Sequence, residues 1–270
     1  VEVARPACAA LRSLALAAAN CVPLVRDGAH TAVMAAARDH AGDVEVVRAA
    51  CTMLSNLSGA AENCAPLVRD GAHSAVMATA RTHSGDVEVA RAACATLRCL
   101  AYADGFEVPL VCDGAHVALI AAAQAHSGDV EVARAACRAL YYLACATNNR
   151  IPLVRDGAHI AVMAASRTQA GDEVVVQAAC YTLQNLACAE ENKAPLVRDG
   201  AHTMVMTAAR AYTGDVEVAQ TACATLAHLS AAADCQGDLA RDGVGEFVAF
   251  VAGLHPDDAT VQDYCRRVVL

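Results

Sequence analysis

The dipeptide Asp-Gly recurs every 43 residues along this chain. Its six copies are Asp27-Gly28, Asp70-Gly71, Asp113-Gly114, Asp156-Gly157, Asp199-Gly200 and Asp242-Gly243. A constant period of about 20–50 residues is typical of stacked repeats, in which each unit buries its apolar face against its neighbours. The spacing therefore predicts one continuous repeat array with a long surface, and it disfavours a closed catalytic pocket.

The composition narrows the kind of array. Apolar residues make up 56% of the chain, aromatic residues only 3%, and there is no tryptophan. Alanine dominates, which favours closely packed helices with small contact residues. The mean hydropathy is +0.34, but charges, Gly, His or Gln interrupt every apolar stretch before the roughly 20 residues that a membrane span needs. The net charge of −9 disfavours general nucleic-acid binding, which requires a basic face.

A single repeat, residues 63–105, predicts three helices. Asn63 is the predicted N-cap of a short first helix, Pro66 lies early in it, and Gly71 ends it. A middle helix is expected at roughly 74–83, and Asp86 should cap a longer third helix. Its predicted buried stripe is Val89, Ala93, Leu97 and Leu100.

These units resemble the armadillo repeat family. Asn63, Leu67-Val68 and Gly71-Ala72 match the first part of the family pattern. The segments 52–57 (TMLSNL) and 182–186 (TLQNL) match its closing motif. The resemblance implies an all-α fold, a right-handed α-solenoid (armadillo superhelix) of about six three-helix repeats of 43 residues.

The expected organisation is a single domain over residues 1–270. A partial repeat at 1–19, holding only a third helix, precedes the full repeats, and a divergent, more polar capping repeat occupies 235–270. The predicted full repeats are 20–62, 63–105, 106–148, 149–191 and 192–234. Since the chain opens inside a repeat, we expect the sequence to be part of a longer protein.

Histidines and cysteines also recur every 43 residues. Each such set of equivalent residues is called a column here, and both columns are interpreted as structural. The histidines at the start of the middle helices cannot share a metal ion across the roughly 8–10 Å between stacked helices. A second column, His40, His83 and His126, lapses to Gln169 and Tyr212 and is interpreted as incidental. We therefore expect no metal site and no cofactor. The columns are His30, His73, His116, His159 and His202, and Cys8, Cys51, Cys94, Cys137, Cys180 and Cys223.

The cysteine column also bears on localisation. Stacked neighbours are too far apart for disulfides, which need Cα atoms within about 7 Å, so each column cysteine should be a small buried apolar side chain. Free thiols indicate a reducing compartment. We expect a cytoplasmic protein, with the nucleus as the other candidate compartment.

Variation on the third helices indicates where a partner binds. By resemblance, armadillo proteins bind extended peptides along a concave groove lined by this helix. The asparagine ladder of the nuclear-import members is retained only at Asn56 and Asn185, and their tryptophan is absent, which disfavours an import receptor for basic signals. The predicted partner-binding residues are Arg48, Asn56, Arg91, Arg98, Arg134, Arg138, Tyr142, Tyr181 and Asn185.

Two interpretations of the arginine column remain open. Glutamate stands three residues before Arg48, Arg91 and Arg134, so these arginines either bind a partner or only pair on their own helix surface. Arg98 and Arg138 have no acid three or four residues before them. Arginine holds carboxylate or phosphate well, so the expected ligand is an acidic or phosphorylated segment, extended or helical.

The predicted function is a non-enzymatic scaffold for protein–protein interaction. The alternative is a structural module of the cytoskeletal or axonemal type that self-associates through its terminal repeats, near Phe247, Phe250 and the open N-terminal helix. An engineered consensus array is disfavoured by fourteen cysteines. A Cys–His enzyme is disfavoured because residues that recur in every repeat are not singular catalytic groups.

Overall fold

A computed structural model describes residues 2–268 and 270. Val1 and Val269, which fall in the predicted first and last repeats, lie outside the described residues. Every regular element of the described chain is helical. The chain divides into two compact units, Val1–Leu143 and Ala144–Leu270, which are taken one at a time.

The first unit contains ten helices in chain order. They are α1 (Ala4–Leu14), α2 (Ala18–Arg26), α3 (Ala29–Asp39), α4 (Val44–Ser58), α5 (Ala61–Arg69), α6 (Ala72–Thr82), α7 (Val87–Tyr102), α8 (Glu107–Cys112), α9 (Ala115–Ala125) and α10 (Val130–Cys145), whose last two residues belong to the second unit. Long third helices pack on one another, α1 on α4 and α4 on α7. The middle helices pack against these third helices, α3 on α4 and α6 on α7.

The second unit repeats this arrangement. After a 3-10 turn at Thr147–Asn149 come α11 (Arg150–Arg155), α12 (Ala158–Thr168), α13 (Glu173–Ala187), α14 (Glu190–Arg198), α15 (Ala201–Ala211), α16 (Val216–Ser230), α17 (Ala233–Arg241), α18 (Val244–Leu254) and α19 (Ala259–Arg267). Here α13 packs on α16, and α16 packs on α19. The all-α solenoid fold is confirmed, whereas the single-domain organisation and its repeat boundaries stay predictions.

Local sequence signals place the helix ends. Gly71 adopts a φ of 82°, the left-handed conformation, and begins the middle helix directly after the first helix ends. The Asp86 carboxylate accepts hydrogen bonds from the backbone amides of Glu88 and Val89, which confirms the predicted cap of α7. The predicted stripe on α7 is buried, with Val89, Ala93, Leu97 and Leu100 each at most 2% exposed.

The predicted role of Asn63 is wrong. The helix α5 begins at Ala61, so Asn63 lies within its first turn and is 2% exposed. Its Nδ2 donates to the carbonyl of Leu57 at 2.9 Å and to that of Cys21 at 3.0 Å. The physical reason is that the last carbonyls of α4 have no partner within their own helix, and a buried amide supplies the donor.

The predicted early position of Pro66 is also wrong for α5. Pro66 lies in the interior of this nine-residue helix. It removes the hydrogen bond that would reach the carbonyl of Glu62. Glu62 is exposed, so water can satisfy that carbonyl. In α8 and α11 the equivalent prolines, Pro109 and Pro152, do fall in the first turn.

Within each unit, histidines of the first column bond to the Asp-Gly turn of the following repeat. His30 Nε2 lies 2.8 Å from Asp70 Oδ2, and His73 Nε2 lies 2.9 Å from Asp113 Oδ2. The second unit repeats the bond at His159–Asp199 and His202–Asp242. The carboxylates accept and Nε2 donates, while the buried Nδ1 atoms of His30 and His73 have no partner in the described structure. The structural interpretation of the column is confirmed.

The second histidine column is not incidental. His83 Nε2 donates to the carbonyl of Ala41, and His126 Nε2 donates to that of Ser84. Tyr212, which replaces histidine in the second unit, donates from its hydroxyl to the carbonyl of Ala170 at 2.9 Å. A different side chain therefore makes the same bond to the turn of the preceding repeat, 42 residues earlier.

We expect acid to weaken the first unit through Asp70. Hydrogen bonds from Arg69 and then His30 hold the pKa of the Asp70 carboxyl at about 2. A carboxyl whose folded pKa is depressed stabilises the fold above its unfolded pKa of about 3.9, and that stability is lost as pH falls toward about 2. Urea unfolding midpoints between about pH 5 and pH 2 should therefore fall less steeply in Asp70→Asn than in the wild type.

Asp27 is the matched control for this pH dependence. It accepts a hydrogen bond from Arg26 at 2.9 Å, as Asp70 does from Arg69, but no histidine of the described residues reaches it. Asp27→Asn should change the fall of the urea unfolding midpoint at acid pH less than Asp70→Asn does. Equal changes in the two variants would contradict a contribution from His30.

Candidate partner-binding site

The structure distributes the predicted site residues over both units. Seven lie in the first unit, namely Arg48, Asn56, Arg91, Arg98, Arg134, Arg138 and Tyr142. Tyr181 and Asn185 lie in the second unit. All nine are on third helices, as predicted.

The periodic arginines serve as clamps between neighbouring third helices. Arg91 Nη1 donates to Glu88 on its own helix at 2.8 Å, and its Nη2 donates to Asp129 at 2.5 Å. Arg48 makes the same pair of contacts with Glu45 and Asp86. Each aspartate also caps its own third helix, so a single carboxylate joins the arginine of one repeat to the helix start of the next.

Electrostatics agrees with a structural role for this column. The hydrogen bond from Arg91 holds the pKa of Asp129 below its ordinary value, against the opposing effect of burial. Arg134 also pairs with Glu131, at 2.8 Å. The structure therefore supports the pairing interpretation for Arg48 and Arg91, whose charges are already matched by two carboxylates each.

Arg98 and Arg138 have a different environment. They line one groove of 840 Å³ in the first unit, together with Tyr142. Arg138 Nη2 donates to the Tyr142 hydroxyl at 3.1 Å, and Arg98 Nη2 makes only a long contact of 3.8 Å with the Cys99 sulfur. Within the described residues neither guanidinium has a carboxylate partner. The two charges therefore face the groove without neutralisation.

Tyrosine rings form one wall of this groove. Tyr102 and Tyr142 have ring centroids 5.1 Å apart with a tilt of 59° between the rings, and Tyr141 lies 5.1 Å from Tyr142. Tyr102 is 71% exposed. Sequence reasoning missed Tyr102, although its position four residues after Arg98 places both on one helix face.

The remaining lining is small and mostly neutral. The end of α4 and the start of α5 contribute Ser58, Gly59, Ala61, Cys64 and Ala65. Asp104 and Phe106 follow α7 and complete the groove. Asp104 is exposed, and no ion pair joins it to either groove arginine in the described part of the chain. The groove thus holds two arginines and one aspartate beside an aromatic wall.

The other predicted residues are polar positions outside this groove. Asn56 Nδ2 is buried and has no protein partner among the described residues. In the second unit, the Tyr181 hydroxyl lies 3.0 Å from Glu217, and Asn185 Nδ2 lies 3.6 Å from the Cys145 sulfur. The structure therefore brings together only Arg98, Arg138 and Tyr142 of the predicted set.

The cysteines of the periodic column are shielded from ligands in solvent. All six are buried, and burial raises the pKa of the Cys94 thiol to about 12. Among the described residues, no group of three or more His, Cys, Asp or Glu side chains is placed to hold a metal ion. None of the helices in the described chain has the length and apolarity to cross a bilayer.

Known proteins that are similar to this chain are also built from helical repeats. Residues 29–154, slightly less than half of the chain, match the family model for the LRRK2 ARM repeat. No curated protein matches. Among solved structures, an engineered protein is similar with a TM-score of 0.68 and 22% identity, over 84% of this chain and 90% of that one.

A second similar structure comes from work on a phosphorylation switch that controls the interaction between cadherin and beta-catenin. Its TM-score is 0.64 at 19% identity, over 99% of this chain and 60% of that one. The armadillo resemblance is confirmed, and the fold is that of an armadillo-type α-solenoid. Armadillo solenoids are typically non-enzymatic scaffolds for protein interaction, and the comparisons identify no catalytic family.

Proposed function

We propose that this protein is a scaffold that binds an acidic or phosphorylated protein segment in the groove of Arg98, Arg138 and Tyr142. The observation that carries the proposal is the presence of two guanidiniums in one groove, neither paired with a carboxylate of the described residues. Arginine binds carboxylate and phosphate in a bidentate fork. Arginine and tyrosine are also the residue types that dominate interface energies.

The proposal narrows the site predicted from the sequence. Arg48 and Arg91 are held by carboxylates of their own and the next repeat, and a ligand would have to displace those contacts. A ligand that binds Arg98 and Arg138 displaces no carboxylate. The exposed face of Tyr102 provides an apolar surface beside the charges.

A charge reversal at the groove tests the proposal. The probe is a short fluorescein-labelled peptide of alternating glutamate and phosphoserine, measured by fluorescence anisotropy with the full chain. Arg98→Glu with Arg138→Glu should weaken binding by at least about 100-fold, because two charged hydrogen bonds of about 1.5–3 kcal/mol each are lost. Binding to the wild type should also weaken as salt is raised.

Arg12→Glu with Arg81→Glu is the matched control. Both arginines are exposed, lie in the first unit and have no partner in the described structure, so the change in net charge is the same. This variant should stay within about threefold of the wild type if only long-range attraction is altered. Equal losses in the two double variants, or no binding by the wild type, would contradict a site in the groove.

A second candidate function is self-association through the last repeat. Phe250 and Leu254 on α18 are 45% and 43% exposed, and exposed apolar side chains on one helix can mark an interface. Phe247, the other residue predicted for this interface, is fully buried and cannot contribute. Concentration-dependent oligomers in light scattering would favour this function over peptide binding.

We also propose a reducing compartment, the cytosol or the nucleus. All fourteen cysteines lie in the described part of the chain and are free thiols. Free thiols in this number persist where glutathione and thioredoxin keep them reduced.

A further inference from the structure

The last repeat brings two thiols together. Cys223 on α16 and Cys265 on α19 have sulfur atoms 3.6 Å apart. Cys223 is fully buried, and Cys265 is partly exposed. This contact departs from the rule that cysteines in successive repeats are too far apart to pair, because only one of the two belongs to the periodic column.

The contact arises from a single departure in the repeat pattern. The residue 42 positions after each earlier column cysteine is alanine: Ala50, Ala93, Ala136, Ala179 and Ala222. At the last interface that position is Cys265. A thiol thus replaces a methyl group where α19 packs on α16, and it faces the column thiol.

We propose that Cys223 and Cys265 form a reversible disulfide that fastens the final helix to the rest of the second unit under oxidising conditions. A disulfide needs the sulfurs at about 2.05 Å, so they must approach by about 1.5 Å. Rotation of the side chains can supply much of that movement. The bond would close a loop from α16 through α17 and α18 to α19.

The reaction is thiol–disulfide exchange with glutathione disulfide. The Cys265 thiolate attacks one glutathione sulfur, the glutathione S–S bond breaks, and one glutathione thiolate leaves with the electron pair and takes up a proton. The Cys223 thiolate then attacks the Cys265 sulfur, and the second glutathione leaves in the same way. Two protein thiols are oxidised, and one glutathione disulfide is reduced to two glutathione molecules.

The surroundings favour this order of events. A hydrogen bond from Cys223 lowers the pKa of the Cys265 thiol, and Cys265 is also the more exposed of the two. The same hydrogen bond, together with burial, raises the pKa of Cys223. Since the thiolate is the nucleophile, Cys265 attacks the outside disulfide and Cys223 resolves the mixed disulfide.

Mass spectrometry tests the pairing directly. The full chain is equilibrated in mixtures of reduced and oxidised glutathione, free thiols are blocked by alkylation, and the protein is digested without reduction. A peptide pair linked through Cys223 and Cys265 should appear in oxidising mixtures and disappear on reduction. Its formation should raise the melting temperature of the second unit by on the order of 5 °C.

Cys265→Ala is the matched variant, because it restores the alanine of the earlier repeats. It should abolish the linked peptides and the gain in melting temperature while leaving the helical circular dichroism unchanged. Cys223→Ala should have the same effect on the linkage, with Cys265 then held as a glutathione adduct. Wild-type Cys265 found only as that adduct, or linked to another cysteine while Cys223 stays free, would overturn the proposal.

Discussion

Replacing Phe247 by alanine is expected to destabilise the second unit by about 3–5 kcal/mol. Phe247 is fully buried on α18, and its removal leaves a cavity the size of a benzyl group. The guanidinium of Arg210 on α15 lies 5.5 Å from the centre of its ring, and that cation–π contact is lost too. Urea unfolding followed by circular dichroism measures the change.

Phe250 provides the matched control on the same helix. It lies three residues after Phe247 and is 45% exposed, so Phe250→Ala should cost less than about 1 kcal/mol. If the protein self-associates through α18, this variant should dissociate the oligomer without a loss of stability. A Phe247→Ala variant as stable as Phe250→Ala would contradict the buried position of Phe247.

Local signals in the sequence predict most of the helix ends. The left-handed glycine at Gly71 and the capping carboxylate of Asp86 act within a few residues of themselves. Their effects depend on backbone geometry that any isolated turn shares. For this reason the three-helix unit could be predicted from the sequence alone. The buried stripe of α7 could be predicted too, because its apolar residues recur at helical spacing.

The contacts between repeats could not be predicted in this way. Arg91 reaches Asp129 across 38 residues, His30 reaches Asp70 across 40, and Asn63 reaches the carbonyl of Cys21 across 42. A common period shows that the columns are equally spaced, but it does not show which columns touch. That depends on how far each helix is rotated against its neighbour.

The candidate site contains residues that the sequence predicts and one that it does not. Arg98 and Arg138 stand out in the sequence because no acid lies three or four residues before them, and the structure places both in one groove with Tyr142. Tyr102 was missed because it lies three residues beyond Cys99, the position equivalent to Asn56 and Asn185 at which the predicted groove residues end. The partner-binding role of all nine predicted residues stays a prediction.

The second large effect is expected at Asn63. Asn63→Ala removes the donor that two buried carbonyls share, those of Cys21 and Leu57. The Ala60 amide still donates to the carbonyl of Leu57 at 3.4 Å, so the variant loses two hydrogen bonds of about 0.5–1.5 kcal/mol each. The first unit should therefore lose about 1–3 kcal/mol in urea unfolding. Asn20→Ala is the control, because Asn20 is partly exposed and bonds only the carbonyl of Leu14, and it should cost about 1 kcal/mol.

Asn63→Asp separates the hydrogen bonds from the packing. Aspartate has nearly the same shape, but its ionised carboxylate would face the same two carbonyls as an acceptor with no hydrogen to donate. At neutral pH it should therefore destabilise the first unit at least as much as alanine does. Asn192 makes the equivalent bonds in the second unit, to Leu186 and Arg150, so Asn192→Asp should reproduce the loss there. Near-normal stability of either aspartate variant at neutral pH would mean that the amide fills space and does not serve as the donor to the carbonyls.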